Sequence, residues 1–114
     1  MPAFVPAPDP LASGDIPQAL LAWLDVHVPG FEGPATIRPI SGGQSNPTFQ
    51  ITAACGNFVL RRKPLGTILP SAHAVDREFR VLRSLQGTGI PVPAVHALCE
   101  DATIAGAIFY IMDF

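Results

Sequence analysis

The chain has 114 residues, about the length of one domain, and 48% of them are hydrophobic whereas 14% are charged. This balance is typical of a packed domain and excludes an intrinsically disordered chain. The formal net charge of −2 offers no basic surface for nucleic acid, and no apolar run approaches the roughly 20 residues of a membrane helix. We therefore expect neither nucleic acid nor a membrane as partner.

The N-terminal segment, residues 1–14, contains four prolines and is predicted to be a flexible leader. It lacks the basic region followed by an apolar core that marks a secretory signal. The two cysteines, Cys55 and Cys99, do not have C-x-x-C spacing. These features predict a cytoplasmic protein with reduced thiols.

Residues 16–28 are predicted to form the first helix. Asp15 can cap its N-terminus, and Pro17 fits its first turn, where a missing N–H costs little. Leu20 and Leu24 lie on one helical face, so this helix is expected to pack against the rest of the domain.

Alternating apolar and polar residues, separated by turn residues, predict five strands. A glycine-bearing loop separates the first two strands, a tight turn joins the second and third, and the last two form another hairpin. Pro39 favours an edge position for the first strand. We therefore predict an α+β fold with a five-stranded antiparallel sheet, its strands at 35–40, 48–53, 57–62, 94–100 and 107–114.

The loop between the first two strands contains two adjacent glycines, Gly42 and Gly43. Glycine allows backbone N–H groups to approach a ligand closely, and Ser45 and Asn46 add small polar donors. This composition suits a phosphate-binding loop. On the loop alone an ordinary hairpin connection is favoured, because a Gly-Gly pair lacks the specificity of a full phosphate-binding signature.

The third strand ends in Arg61-Arg62-Lys63. Its period of two places Val59 and Arg61 on one face and Arg62 on the other. A small apolar residue two positions before a cation suits a nucleotide site, with the base against the first and phosphate on the second. The alternative is a solvated strand end, and we expect replacement of Arg62 to matter little.

The second helix is predicted over residues 71–86, with Ser71 as its N-cap. Glu78 falls between Leu82 and Leu85, inside the apolar stripe of this helix. A buried carboxylate there needs a cation from another element, whereas a carboxylate at the edge of the stripe reaches water. The residues alone leave these two interpretations about even.

Taken together, these elements resemble the N-terminal lobe of the protein-kinase-like fold. The motifs are similar to those of the aminoglycoside phosphotransferase family, in the branch that contains the kinase-like domain of acyl-CoA dehydrogenase family members 10 and 11. The resemblance covers residues 16–114. Its motifs are Ser-Gly-Gly-Gln-Ser-Asn-Pro-Thr-Phe, Phe-Val-Leu-Arg-Arg-Lys-Pro-Leu-Gly, Leu-Pro-Ser-Ala-His-Ala-Val-Asp-Arg-Glu-Phe-Arg-Val-Leu and Ile-Pro-Val-Pro.

The resemblance implies ATP as the ligand and assigns roles residue by residue. Arg61 takes the place of the strand lysine that holds the ATP phosphates, and Glu78 pairs with it. Val59 contacts adenine, the glycine-bearing loop covers the phosphates, and the hinge between lobes begins at Met112. The implied nucleotide-binding residues are Ser41, Gly42, Gly43, Gln44, Ser45, Asn46, Val59, Arg61, Glu78, Met112, Asp113 and Phe114.

The catalytic base and the Mg²⁺ ligands of this family belong to a larger C-terminal lobe. We therefore expect residues 15–114 to be an N-terminal lobe truncated at the hinge, without catalytic residues and inactive alone. The missing lobe would be its packing partner, and Mg²⁺ is expected only with that lobe. The full-length protein is expected to phosphorylate a small-molecule hydroxyl that the sequence does not identify. A non-catalytic nucleotide-binding, anion-binding or interaction module is the alternative.

Overall fold

The computed structural model describes residues 9–11, 14–41, 47–63 and 75–114. Its described part contains three helices and five strands. In chain order these are α1 (Gln18–His27), β1 (Ala35–Ser41), β2 (Thr48–Ala53), β3 (Gly56–Arg62), α2 (Val75–Ser84), β4 (Val95–Cys99), α3 (Ala102–Ala105) and β5 (Phe109–Asp113). None of these helices combines the length and hydrophobicity that crossing a bilayer requires.

The five strands form one sheet in the order β1-β2-β3-β5-β4. Every neighbouring pair is antiparallel, so the predicted fold class is confirmed. β1 lies at an edge, as Pro39 indicated, and its register shifts between Pro39 and Ser41. The order places β3 at the centre of the sheet, between β2 and β5.

The two faces of the sheet pack against different helices, because alternate residues of each strand point to opposite sides. The larger core lies on the face covered by α1 and α3, and the smaller core lies beneath α2. The larger core includes Leu20, Leu24, Ile37, Ile51, Leu60, Phe109 and Ile111, and the smaller one contains Val75, Phe79 and Tyr110.

Two local details differ from the sequence-based expectations. Pro17, and not Asp15, is the N-cap of α1, and Asp15 instead forms an isolated antiparallel bridge with Thr36. The loop expected between the last two strands contains the short helix α3. The Asp101 carboxylate caps this helix by accepting a hydrogen bond from the Thr103 N–H at 2.9 Å. The proposed cap Ser71 lies outside the described residues.

Part of the segment predicted as a leader packs against the lobe. We call residues 9–11 the N-terminal strap. Leu11 is fully buried in the larger core, and the Leu11 N–H donates to the Asp9 carboxylate at 2.9 Å. The strap is therefore part of the packed lobe, whereas a flexible leader stays a prediction for residues 1–8.

Candidate functional site

The centre of the candidate site is an ion pair between β3 and α2. Arg61 Nε donates to Glu78 Oε1 at 2.5 Å, and Arg61 Nη2 donates to Glu78 Oε2 at 3.1 Å. The two side chains are 28% and 32% exposed. The predicted contact between Arg61 and Glu78 is therefore present. It is bidentate, a geometry that arginine provides and lysine does not.

Two further side chains contact this pair from the neighbouring strands. In the sheet, Arg61 lies opposite Thr48 of β2 and Tyr110 of β5. Arg61 Nη1 donates to Thr48 Oγ1 at 3.4 Å, and the Tyr110 hydroxyl donates to Glu78 Oε1. Burial, reinforced by the Glu78 carboxylate, raises the pKa of Tyr110 well above its ordinary value, so the hydroxyl stays protonated at neutral pH.

A second contact holds α2 to the same end of β3. Lys63 Nζ lies 3.6 Å from Asp76 Oδ1, and Arg80 Nη1 lies 3.5 Å from Asp76 Oδ2. Although burial acts to raise it, backbone hydrogen bonds and the charges of Lys63 and Arg80 lower the pKa of the Asp76 carboxyl. The first turn of α2 is thus held to β3 through Glu78 and to Lys63, the residue after β3, through Asp76.

An apolar strip adjoins the ion pair on the same face of the sheet. Val59 lies opposite Gln50 of β2 and Met112 of β5. Val59 is 7% exposed and Gln50 is 9% exposed, and the Gln50 side-chain oxygen accepts a hydrogen bond from Arg38 Nη2 at 2.9 Å. The face therefore places two apolar side chains, the nearly buried Val59 and the half-buried Met112, beside a fixed guanidinium, an arrangement suited to a ligand with one flat apolar part and one anionic part.

The structure brings together four of the residues that sequence analysis assigned to the site: Val59, Arg61, Glu78 and Met112. Asp113 lies on the opposite face of the sheet, where it pairs with Phe58 and its Oδ1 lies 2.7 Å from His96 Nε2. Phe114 follows β5 and is 67% exposed. Gly42, Gly43, Gln44, Ser45, Asn46 and the side chain of Ser41 lie outside the described part of the chain.

Residues 36–114 match the model of the Phosphotransferase enzyme family, APH. The chain belongs to this family. The match includes α2, β2 to β5 and all of β1 except Ala35, so it includes every residue of the ion pair and its neighbours. Asp9 and Leu11, which pack on this phosphotransferase lobe, precede the matched region.

Comparisons with individual proteins agree with this assignment. The chain is 51% identical over 82 residues to acyl-CoA dehydrogenase family member 10 from Mus musculus, which covers 72% of this chain. It is 42% identical over 100 residues to family member 11 from Rattus norvegicus, which covers 84% of this chain. The chain spans 8% and 13% of the length of these two relatives.

A solved structure shows the same fold. It is the crystal structure of a protein assigned as an aminoglycoside phosphotransferase from Ralstonia eutropha JMP134, with a TM-score of 0.73 and 43% sequence identity. The similarity covers 85% of this chain and 27% of that one. The family resemblance drawn from the sequence motifs is therefore confirmed, as is the kinase-like N-terminal-lobe fold.

The sequence-based view of Arg62 in this phosphotransferase lobe was wrong. Arg62 is 2% exposed, and its Nη1 and Nη2 donate to the two Asp9 carboxylate oxygens at 2.7 and 2.6 Å. Nη1 also donates to the Ala105 carbonyl at 3.1 Å, and the guanidinium carbon lies 5.0 Å from the Phe49 ring centroid. The alternation that places Arg62 on the core face was a signal that it, like Glu78, needs a partner of opposite charge.

Proposed function

We propose that this phosphotransferase-family lobe binds ATP for transfer of a phosphoryl group to a small-molecule hydroxyl. The observation that carries the proposal is the Arg61–Glu78 ion pair, fixed at the centre of the sheet and about 30% exposed beside the Val59–Met112 strip. In kinase-like folds, such a pair orients the cation that holds the ATP phosphates.

The hydrogen-bond pattern of Arg61 supports a phosphate-binding role. Glu78 occupies the Nε and Nη2 side of the guanidinium, and Nη1 reaches toward Thr48, the first residue of β2. An arginine held on one side keeps N–H donors on its other side with little further loss of side-chain entropy. We propose that Nη1 donates to a phosphate oxygen.

The other proposed contacts to ATP follow from the position of Arg61 in the sheet. Val59 and Met112 form the apolar surface on which the adenine ring would lie. The loop residues Ser41–Asn46 would cover the phosphates with backbone N–H groups and small polar side chains, as glycine-bearing loops do in other phosphate sites. Met112 to Phe114 would form the start of the hinge.

The catalytic machinery for this reaction would lie outside these 114 residues. ATP would supply the transferred phosphoryl group, and the catalytic base and the Mg²⁺ ligands would come from a C-terminal lobe. We propose that the 114-residue chain alone does not transfer phosphate. That second lobe would bind most of the hydroxyl substrate.

ATP titration of the isotope-labelled chain, followed by NMR, tests the proposal. We expect ATP-dependent shifts at Val59, Arg61 and Met112, and Arg61→Ala should weaken binding about tenfold, the loss expected for one charge-assisted hydrogen bond. Arg77→Ala, which removes an exposed arginine of α2, should leave binding unchanged. Shifts that are absent, or equally reduced in both variants, would contradict the proposal.

A second experiment separates an enzyme from a non-catalytic nucleotide-binding module. In a protein that carries both lobes, Arg61→Ala should lower kcat/KM for ATP against any accepted hydroxyl. ATP binding that is never accompanied by transfer to a hydroxyl would favour the non-catalytic module.

A further inference from the structure

Tyr110 links the candidate site to the small core beneath α2. Tyr110 is 1% exposed, and its ring lies 5.7 Å, centroid to centroid, from the ring of Phe79. Val75 and Phe79 of α2 complete this core. The ring is therefore held by packing, and the hydroxyl at its end donates to Glu78 Oε1.

The hydroxyl and Arg61 share one carboxylate oxygen of Glu78. Oε1 accepts from Arg61 Nε of β3 and from the Tyr110 hydroxyl of β5, whereas Oε2 accepts from Arg61 Nη2. A glutamate side chain that is 32% exposed and paired with a single arginine is weakly ordered, since long side chains lose entropy on pairing. The Tyr110 hydroxyl, carried on a rigid, buried ring, is a second donor that restricts movement of the Glu78 side chain.

We propose that Tyr110 is a positioning residue, whose hydroxyl holds Glu78 in the orientation that fixes the Arg61 guanidinium. The inference rests on the proposed function, because the orientation of Arg61 bears on function only if Arg61 binds phosphate. A phenol in a packed core cannot follow a departing carboxylate, so outward rotation of Glu78 would leave the hydroxyl without this acceptor.

Tyr110→Phe tests the proposal, since it removes the hydroxyl and retains the ring. The measurement is the hydrogen-exchange rate of the Arg61 side-chain Nε–H, followed by NMR in the 114-residue chain without nucleotide. Loss of one hydrogen bond to a charged acceptor corresponds to about tenfold, so we expect about tenfold faster exchange. Backbone amide protection in β3 should change less than about twofold, which distinguishes a positioning role from general destabilisation.

Asp76→Asn is the matched control. It weakens the 3.6 Å contact between Asp76 of α2 and Lys63, the residue after β3, together with the Asp76–Arg80 pair within α2, and it does not alter Glu78 or Tyr110. We expect it to change the exchange of Arg61 Nε–H by less than about twofold. Equal effects of Tyr110→Phe and Asp76→Asn, or no effect of Tyr110→Phe, would overturn the proposal.

A measurement on the wild-type chain decides the question if Tyr110→Phe does not fold. Tyr110 is the one tyrosine of the chain, so its hydroxyl proton can be assigned without ambiguity. Slow exchange of this proton supports the proposal, and exchange as fast as that of an exposed tyrosine overturns it. Neither exchange measurement uses ATP. A failure of ATP binding would therefore refute the proposed function, whereas the role of Tyr110 would still be tested by the two exchange rates.

Discussion

Asp9 neutralises the buried guanidinium of Arg62 through two hydrogen bonds, although the two residues are 53 positions apart in the chain. The Arg62 side chain is 2% exposed and that of Asp9 is 28% exposed. An uncompensated charge at such a site is costly, so the N-terminal strap supplies a counterion that the core requires. Arg62 immediately follows Arg61, so the strap supports the strand that carries the candidate site.

Asp9→Asn is expected to destabilise the lobe by about 2 to 3 kcal/mol. Breaking a fully buried pair costs about 3 to 5 kcal/mol, and the partial exposure of Asp9 reduces that figure. Urea unfolding followed by the fluorescence of Trp23, the one tryptophan of the chain, measures the change. Asp15→Asn, which alters an exposed carboxylate, is the control and should change the free energy of unfolding by less than about 0.5 kcal/mol. Equal losses in the two variants would contradict a special role for Asp9.

The same pair predicts a loss of stability in acid. The hydrogen bonds from Arg62 lower the pKa of the Asp9 carboxyl below its ordinary 3.8, against the opposing effect of burial. As pH falls below 3.8, the unfolded chain takes up a proton at Asp9 before the folded chain does. The stability contributed by Asp9 is therefore complete above this pH and is lost as pH falls toward the folded-state pKa.

Urea unfolding across a pH series measures this effect. The free energy of unfolding should fall less steeply in Asp9→Asn than in the wild type between about pH 5 and about pH 2. The pKa values of the Asp76 and Asp101 carboxyls are also lowered, so the difference between the two proteins, and not the wild-type slope, reports Asp9. If the free energy of unfolding falls equally steeply with pH in both proteins, Asp9 does not contribute to the acid sensitivity.

Arg61 and Glu78 should be energetically coupled. A double-mutant cycle with Arg61→Ala and Glu78→Gln is expected to give a coupling energy of about 1 to 2 kcal/mol. This value lies between those for exposed and fully buried pairs, because the two side chains are 28% and 32% exposed. Glutamine keeps an acceptor for Tyr110, which limits the change to the charge. The Asp76–Arg80 pair, with Arg80 62% exposed, should give less than about 0.5 kcal/mol. Additive effects of Arg61→Ala and Glu78→Gln would contradict the coupling.

The two cysteines should react with thiol reagents at different rates. Cys55 is exposed, whereas Cys99 is 3% exposed, and burial raises the pKa of its thiol. Because the thiolate is the reactive form, Cys99 should react only after local or global opening. A colorimetric thiol assay should show one fast phase, which Cys55→Ser removes. Two fast phases in the folded chain would contradict the burial of Cys99.

The sequence by itself determined the strands, their antiparallel pairing and the family. Strand alternation and turn residues are local properties, so they could be read without knowledge of distant contacts. Strand period placed Arg61 on one face of the sheet and helix period placed Glu78 inside the apolar stripe, and the family resemblance then indicated that the two side chains pair. The helical turn α3 was missed, because four residues are too few to show a period.

Only the tertiary structure decided which residues complete these contacts. The Pro-rich composition around Asp9 and Leu11 is typical of a leader, and no local pattern indicates that a carboxylate from this segment meets Arg62. Tyr110 lies in a nearly continuous apolar strand, where its hydroxyl gives no sign of its acceptor. A buried polar group reveals that it needs a partner, but many distant residues could satisfy that need, and only the packing of the chain selects one of them.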